Sequence, residues 1–188
     1  MYKSEIKAYI NKEIEVLKSI DITAVNEVLE TIVSAYHKDG NIYIFGNGGS
    51  ASTASHFQND FNKGISENLS KKFNFVCLSD NVPTVMAIAN DSGYEYIFEY
   101  QLHGKLKKDD LVIAISGSGN SKNVLRAIEY SKQQGVKTIG ITGYDGGRLA
   151  EIADISFNVP VDDMQITEDV HLILDHLMMS VLMNRENI

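Results

Sequence analysis

Asn41-Ile42-Tyr43-Ile44-Phe45-Gly46-Asn47-Gly48-Gly49-Ser50 is a short apolar run that breaks into a glycine-serine loop. The same design returns at Leu111-Val112-Ile113-Ala114-Ile115-Ser116-Gly117-Ser118-Gly119-Asn120-Ser121. A β-rich run with no polar alternation reads as a strand covered on both faces, and each loop feeds a segment with helical spacing. Glycines such as Gly48 and Gly117 let the backbone approach an anion, serine hydroxyls donate to its oxygens, and the following helix aims its N-terminal N–H groups at the same point. Two such junctions indicate a site for a small phosphorylated molecule.

Outward from these stretches, the pattern predicts strands at 41–46, 73–78, 110–116, 137–142 and 154–159. Helices are predicted between them at 50–64, 82–90, 95–103, 121–134 and 146–151. Apolar strands alternating with helices imply a parallel sheet sandwiched between helical layers. Before the first strand, Ile6, Ile10, Ile14 and Leu17, then Val25, Val28, Leu29, Ile32, Val33 and Tyr36, have the spacing of two helices. Asp21 or Thr23 is placed to cap the second. Residues 164–184 are apolar almost all round, as in a helix buried on several sides, within the core or at a subunit interface. The expected organisation is one α/β domain over 1–188, a three-layer sandwich on a five-stranded parallel sheet. It comprises N-terminal helices (1–38) and an α/β core with a C-terminal helix (39–188). Ligands of such sheets bind at the strand carboxyl ends, where both loops and Thr142-Gly143-Tyr144-Asp145-Gly146-Gly147 are expected.

The 188 residues carry a formal charge of −8, which argues against a broad nucleic-acid or anionic-membrane surface. The clusters Lys63, Lys71, Lys72 and Lys105, Lys107, Lys108 read as solvated loop and helix-end charges. Cys77 is the only cysteine, so no intrachain disulfide forms; a small core residue in a reducing compartment is expected. The start Met1-Tyr2-Lys3-Ser4-Glu5 lacks a secretory pattern and no run approaches ~20 apolar residues, so a cytoplasmic protein is expected.

The phosphate loops are not nucleotide loops. No lysine follows in the Gly-x-x-x-x-Gly-Lys pattern, and Ala51 stands where Gly-x-Gly-x-x-Gly needs its last glycine. A nucleotide cofactor is therefore not expected. Ser116, Ser118 and Ser121 suit a single phosphomonoester, with Ser121 also expected to cap helix 121–134.

The helix after the first loop carries His56 and Asp60 on one face. The last carries Glu168, His171 and His176. On a helical wheel Glu168 lies about 60° from His171 and about 80° from His176, while the two histidines are about 140° apart. Geometry therefore leaves the choice of histidine open. Imidazole and carboxylate on two helices suit general acid–base chemistry or a zinc site with nitrogen and oxygen ligands. The same residues also occur merely as satisfied surface or core groups.

The two loops, Ala89-Asn90-Asp91-Ser92-Gly93-Tyr94-Glu95-Tyr96-Ile97-Phe98, and Thr142 to Gly147 together resemble the SIS (sugar isomerase) fold. Within it, they are similar to the bacterial phosphoheptose isomerases, over essentially the whole chain. The resemblance implies a flavodoxin-like sheet and interconversion of sedoheptulose 7-phosphate and D-glycero-D-manno-heptose 7-phosphate for the heptose of lipopolysaccharide or capsule. It also implies a homotetramer with active sites between subunits and one zinc per site. Ser116, Gly117, Ser118 and Ser121 would hold the phosphate, and Asn47, Gly48, Ser50, Asp91 and Glu168 the sugar. His56, Asp60, Glu168 and His176 would hold the metal, with Asp60 and His176 as catalytic base and acid; the resemblance thus selects His176 over His171. Asp60 stands where the family has glutamate, and Glu168 where it has glutamine. Two other functions remain beside this one: isomerisation of another sugar phosphate, and a non-catalytic SIS protein that binds a sugar phosphate or a replication initiator.

Overall fold

The computed structural model describes residues 1–185, so the last three residues of the expected domain lie outside the described residues. Helices α1 (Lys3–Lys18) and α2 (Ile22–His37) precede the sheet, and the break between them is chemical. Asp21 is extended, and its carboxylate accepts from the N–H groups of Thr23 and Ala24, which satisfies two first-turn donors of α2. Between the two capping residues that the sequence allows, the structure selects Asp21.

The sheet consists of β1 (Ile42–Gly46), β2 (Phe75–Cys77), β3 (Leu111–Ser116), β4 (Lys137–Gly143) and β5 (Ile155–Val159). All neighbours are parallel, in the order β2-β1-β3-β4-β5. The five expected strands and the flavodoxin-like arrangement are thus present. Strand side chains alternate between two cores. Ile42, Ile44, Ile113 and Ile115 pack with α2, α3 (Gly49–Asn59) and α8 (Met164–Met183). Tyr43, Phe45, Val112 and Ala114 pack on the other face with α4 (Val82–Asp91), α5 (Glu99–Leu102), α6 (Lys122–Gln133) and α7 (Gly147–Ile152).

The helix expected over 50–64 does not continue as one type. It changes at Asp60 into a π-helical turn, Asp60–Gly64. Amide side chains tie this stretch to β2: Asn62 donates to the Phe75 carbonyl and accepts from the Phe75 N–H, both at 2.8 Å, and Gln58 accepts from the Cys77 N–H at 2.6 Å. The segment expected as helix 95–103 is likewise a 3₁₀ turn at Tyr94–Tyr96 followed by the short α5.

Asp21→Ala leaves two α2 donors without their acceptor and should cost about 1 kcal/mol. Urea unfolding checks this, with a lowered midpoint at unchanged slope expected.

Candidate active site

In the order β2-β1-β3-β4-β5 the direction of winding reverses between β1 and β3, which opens a crevice at their carboxyl ends. Both glycine-serine loops meet there. Gly48 has φ +52°, a left-handed turn that glycine adopts without strain, and α3 starts one residue later. Asn47 bridges the two loop systems. Its amide donates to Asn123 Oδ1 at 3.0 Å, while its carbonyl accepts from Asn123 Nδ2 at 2.9 Å and from the Tyr94 hydroxyl at 2.8 Å. Asn123 is buried and Tyr94 exposed. Neither appeared among the expected site residues.

The serine loop is braced from β4. The Gly143 N–H donates to the Gly117 carbonyl at 2.9 Å, and the Leu149 N–H to the Gly119 carbonyl at 2.8 Å. Gly119 has φ +63°, and a Cβ there would run into the Gly146 carbonyl. The expected cap on α6 is not made: the Ser121 side chain bonds no helix N–H and instead lies 3.3 Å from Ser116 Oγ. Ser118 is exposed, and its Oγ accepts from the Asn120 N–H at 3.3 Å.

One to three turns along α3 a second set of groups gathers against α8. His56 and His176 bring their Nε2 atoms within 3.0 Å, one ring donating and the other accepting. Asp60 Oδ2 lies 3.5 Å from His56 Nε2 and 3.9 Å from His176 Nε2, while Asp60 Oδ1 accepts from Asn59 at 3.0 Å. Asp175 completes the group; one ligand atom from each of His56, Asp60, Asp175 and His176 lies within 4.8 Å of the others. Burial first, and the nearby Asp60 charge second, push the Asp175 carboxyl up to about 8. His56 also lines a cleft of about 530 Å³ with Ser52, Ser55, Asn59, Ser79 and Asp80 in its walls, a volume suited to a small ligand.

The SIS domain family matches residues 5–143. A phosphoheptose isomerase of Helicobacter pylori (strain Shi470) is 38% identical, the alignment covering 92% of this chain and 87% of that one. A probable phosphoheptose isomerase of Thermoplasma volcanium is 32% identical, covering 95% and 90%. This chain belongs to the SIS-domain phosphoheptose isomerase family. The structure of a phosphoheptose isomerase from Neisseria gonorrhoeae superposes with TM-score 0.88 at 26% identity, covering 97% of this chain and 98% of that one. One from Francisella tularensis gives 0.89 at 25%, covering 98% and 100%.

Against the residues carried over from the family, the structure brings His56, Asp60 and His176 together but not Glu168. His176 stands eight positions after Glu168 on α8, about 12 Å along the axis. The Glu168 carboxylate lies instead against Gly49 in the first turn of α3, so close that a Cβ at Gly49 would overlap it. Asp175 takes the fourth position in the group. Its one sequence signal is a lone carboxylate that ends the run Leu172-Ile173-Leu174, next to a histidine. Ser50 is buried at the loop, while Asp91 is exposed at the end of α4 and accepts from Asn90 at 2.8 Å. The segment after Asp91 reaches the loop through Tyr94.

The two histidines of α8 part company. His171 is buried and its Nε2 donates to the Thr142 carbonyl at 2.9 Å, beneath the brace of the serine loop. Burial pushes its imidazole down to about 4, only partly opposed by that carbonyl. The folded state therefore prefers neutral His171, a stabilisation complete above pH 6.5 and lost as pH falls toward 4. The loss attributable to this residue should reach about 3 kcal/mol. Urea unfolding at pH 7.5, 5.5 and 4.5 checks it: the gap between wild type and His171→Gln should narrow toward acid, and a constant gap contradicts the assignment.

Proposed function

We propose that the chain is an aldose–ketose isomerase that interconverts sedoheptulose 7-phosphate and D-glycero-D-manno-heptose 7-phosphate. The observation that carries this is the meeting of His56, Asp60 and His176 across α3 and α8, on a helix launched from the glycine-serine loop. The relatives named as phosphoheptose isomerases support the substrate. Such a product feeds heptose synthesis for a surface glycan, a cytoplasmic task. A buried Cys77, its thiol pushed up to about 12 by burial, suits a reducing compartment. Among the described residues no helix is long and apolar enough to cross a membrane.

In this reading the hydroxyls of Ser116, Ser118 and Ser121 donate to the phosphate oxygens, and Gly117 lets the backbone approach them. Holding the remote phosphate fixes the reacting carbons. Asn47, Gly48, Ser50 and Asp91 contact the sugar chain, and Glu168 accepts from its hydroxyls at the start of α3. Asp60 takes the proton from the carbon next to the carbonyl, and His176 gives a proton to the carbonyl oxygen. The enediol so formed collapses by the reverse transfers: the neighbouring hydroxyl loses its proton and the Asp60 proton returns to the other carbon. Atoms and electrons balance with no external oxidant. Zinc, one ion per site, suits the cluster, because two imidazoles and two carboxylates form a nitrogen–oxygen donor set and the buried Asp175 oxygens lack any other partner. Zinc held there would supply Lewis-acid stabilisation at the sugar oxygens, and it would compete with proton transfer through the same Asp60 and His176 atoms.

A homo-oligomer, a tetramer with sites between subunits, fits the same reading. Helix α1 buries only Val16 and leaves Ile6, Ile10 and Ile14 exposed at helical spacing, an apolar stripe suited to a second copy.

Sedoheptulose 7-phosphate in D₂O, followed by NMR beside fructose 6-phosphate, tests the activity. Deuterium should enter the carbon next to the carbonyl of the heptose substrate, and Asp60→Ala and His176→Ala should each lower kcat by roughly 100- to 10,000-fold with unchanged circular dichroism. Ligand-induced stabilisation without exchange would mark a binding protein instead. Near-wild-type rates in both variants would exclude these roles.

A further inference from the structure

Asp175 is the polar group that the fold leaves least accounted for. It is fully buried, and among the described residues neither carboxylate oxygen has a hydrogen-bond partner. Aspartate is almost never fully buried unless paired. Its neighbours within 4.8 Å are a second carboxylate, Asp60, and the imidazoles of His56 and His176, neither of which hydrogen-bonds to it. A bound cation would supply the partner that these groups do not.

The spacing of the neighbours suits one. Tetrahedral zinc with bonds of roughly 2.0–2.2 Å holds its ligand atoms about 3.3–3.6 Å apart. The three separations among His56 Nε2, His176 Nε2 and Asp60 Oδ2 are 3.0, 3.5 and 3.9 Å. Glu168, the fourth ligand that the family resemblance implies, has its carboxylate against Gly49. Asp60 is a methylene shorter than the family's glutamate, and Asp175 brings a second carboxylate from the residue beside His176.

We propose that Asp175, in place of Glu168, completes a two-histidine, two-aspartate zinc site with His56, Asp60 and His176. The proposal rests on the reading that this cluster holds a metal. Glu168 is thereby left free to accept from substrate hydroxyls at the start of α3.

Zinc titration by calorimetry, with elemental analysis after dialysis, tests it on wild type, Asp175→Asn and Glu168→Gln. Wild type should take up one zinc per chain, and Glu168→Gln should bind within about threefold of it. Asp175→Asn should weaken binding by more than about 100-fold, beyond the roughly 10- to 100-fold that outer-shell partners account for. Its metal-free form should melt no lower than metal-free wild type, because the change removes an unpaired buried carboxylate. The anomalous map of zinc-soaked wild-type crystals gives a reading independent of any variant, with zinc expected within about 2.2 Å of an Asp175 oxygen. Loss of zinc from Glu168→Gln but not from Asp175→Asn would overturn the assignment and leave the metal reading standing. No zinc uptake by wild type would overturn both.

Discussion

Helix α3 leaves the sheet toward one face and α6 toward the other, and the chemistry of the protein follows from the crevice that this divergence opens. Parallel strands need crossovers, and where the crossovers part between β1 and β3 the strand ends are not roofed by a helix. Two loops short of side-chain bulk then face each other, joined by the reciprocal amide bonds of Asn47 and Asn123. An isolated pair of loops would have no fixed separation. Here the Asn47–Asn123 pair sets it, and the end of β4 and α7 hold the second wall through Gly117 and Gly119 respectively.

Helix α8 links the loop end of the crevice to the cluster. At its start Glu168 touches the first turn of α3, and two turns later Asp175 and His176 meet the end of that helix. Between them His171 holds the Thr142 carbonyl, so the same helix that presents the cluster also supports the brace under the serine loop. In the proposed reaction the phosphate grip and the acid–base groups are thereby tied together through α8.

The strands were legible because a parallel sheet covered on both faces demands uninterrupted β-rich runs, and Leu111–Ile115 leaves little other reading. Asp21 was legible because a cap acts locally. The π-helical turn at Asp60 was not, since it appears where Asn62 and Gln58 bond β2, a contact between segments distant in sequence. Asp175 was hidden for a related reason: an apolar helix carries no mark of which side meets α3, so its carboxylate reads as ordinary until the two helices dock. A helical wheel reports angle and not height, so it does not show that the Glu168 carboxylate lies against Gly49 at the start of α3. Ser121 holds the preferred position for a cap, yet its hydroxyl turns to Ser116, the mark of a loop shaped for something other than its own helix.

The amides of Asn62 and Gln58 have one more effect. β2 is the outermost strand on its side of the sheet, and its outward backbone groups at Phe75 and Cys77 are already bonded from within the chain. Such a margin offers no free ladder for a foreign strand, so copies of this protein cannot polymerise by adding strands at Phe75–Cys77.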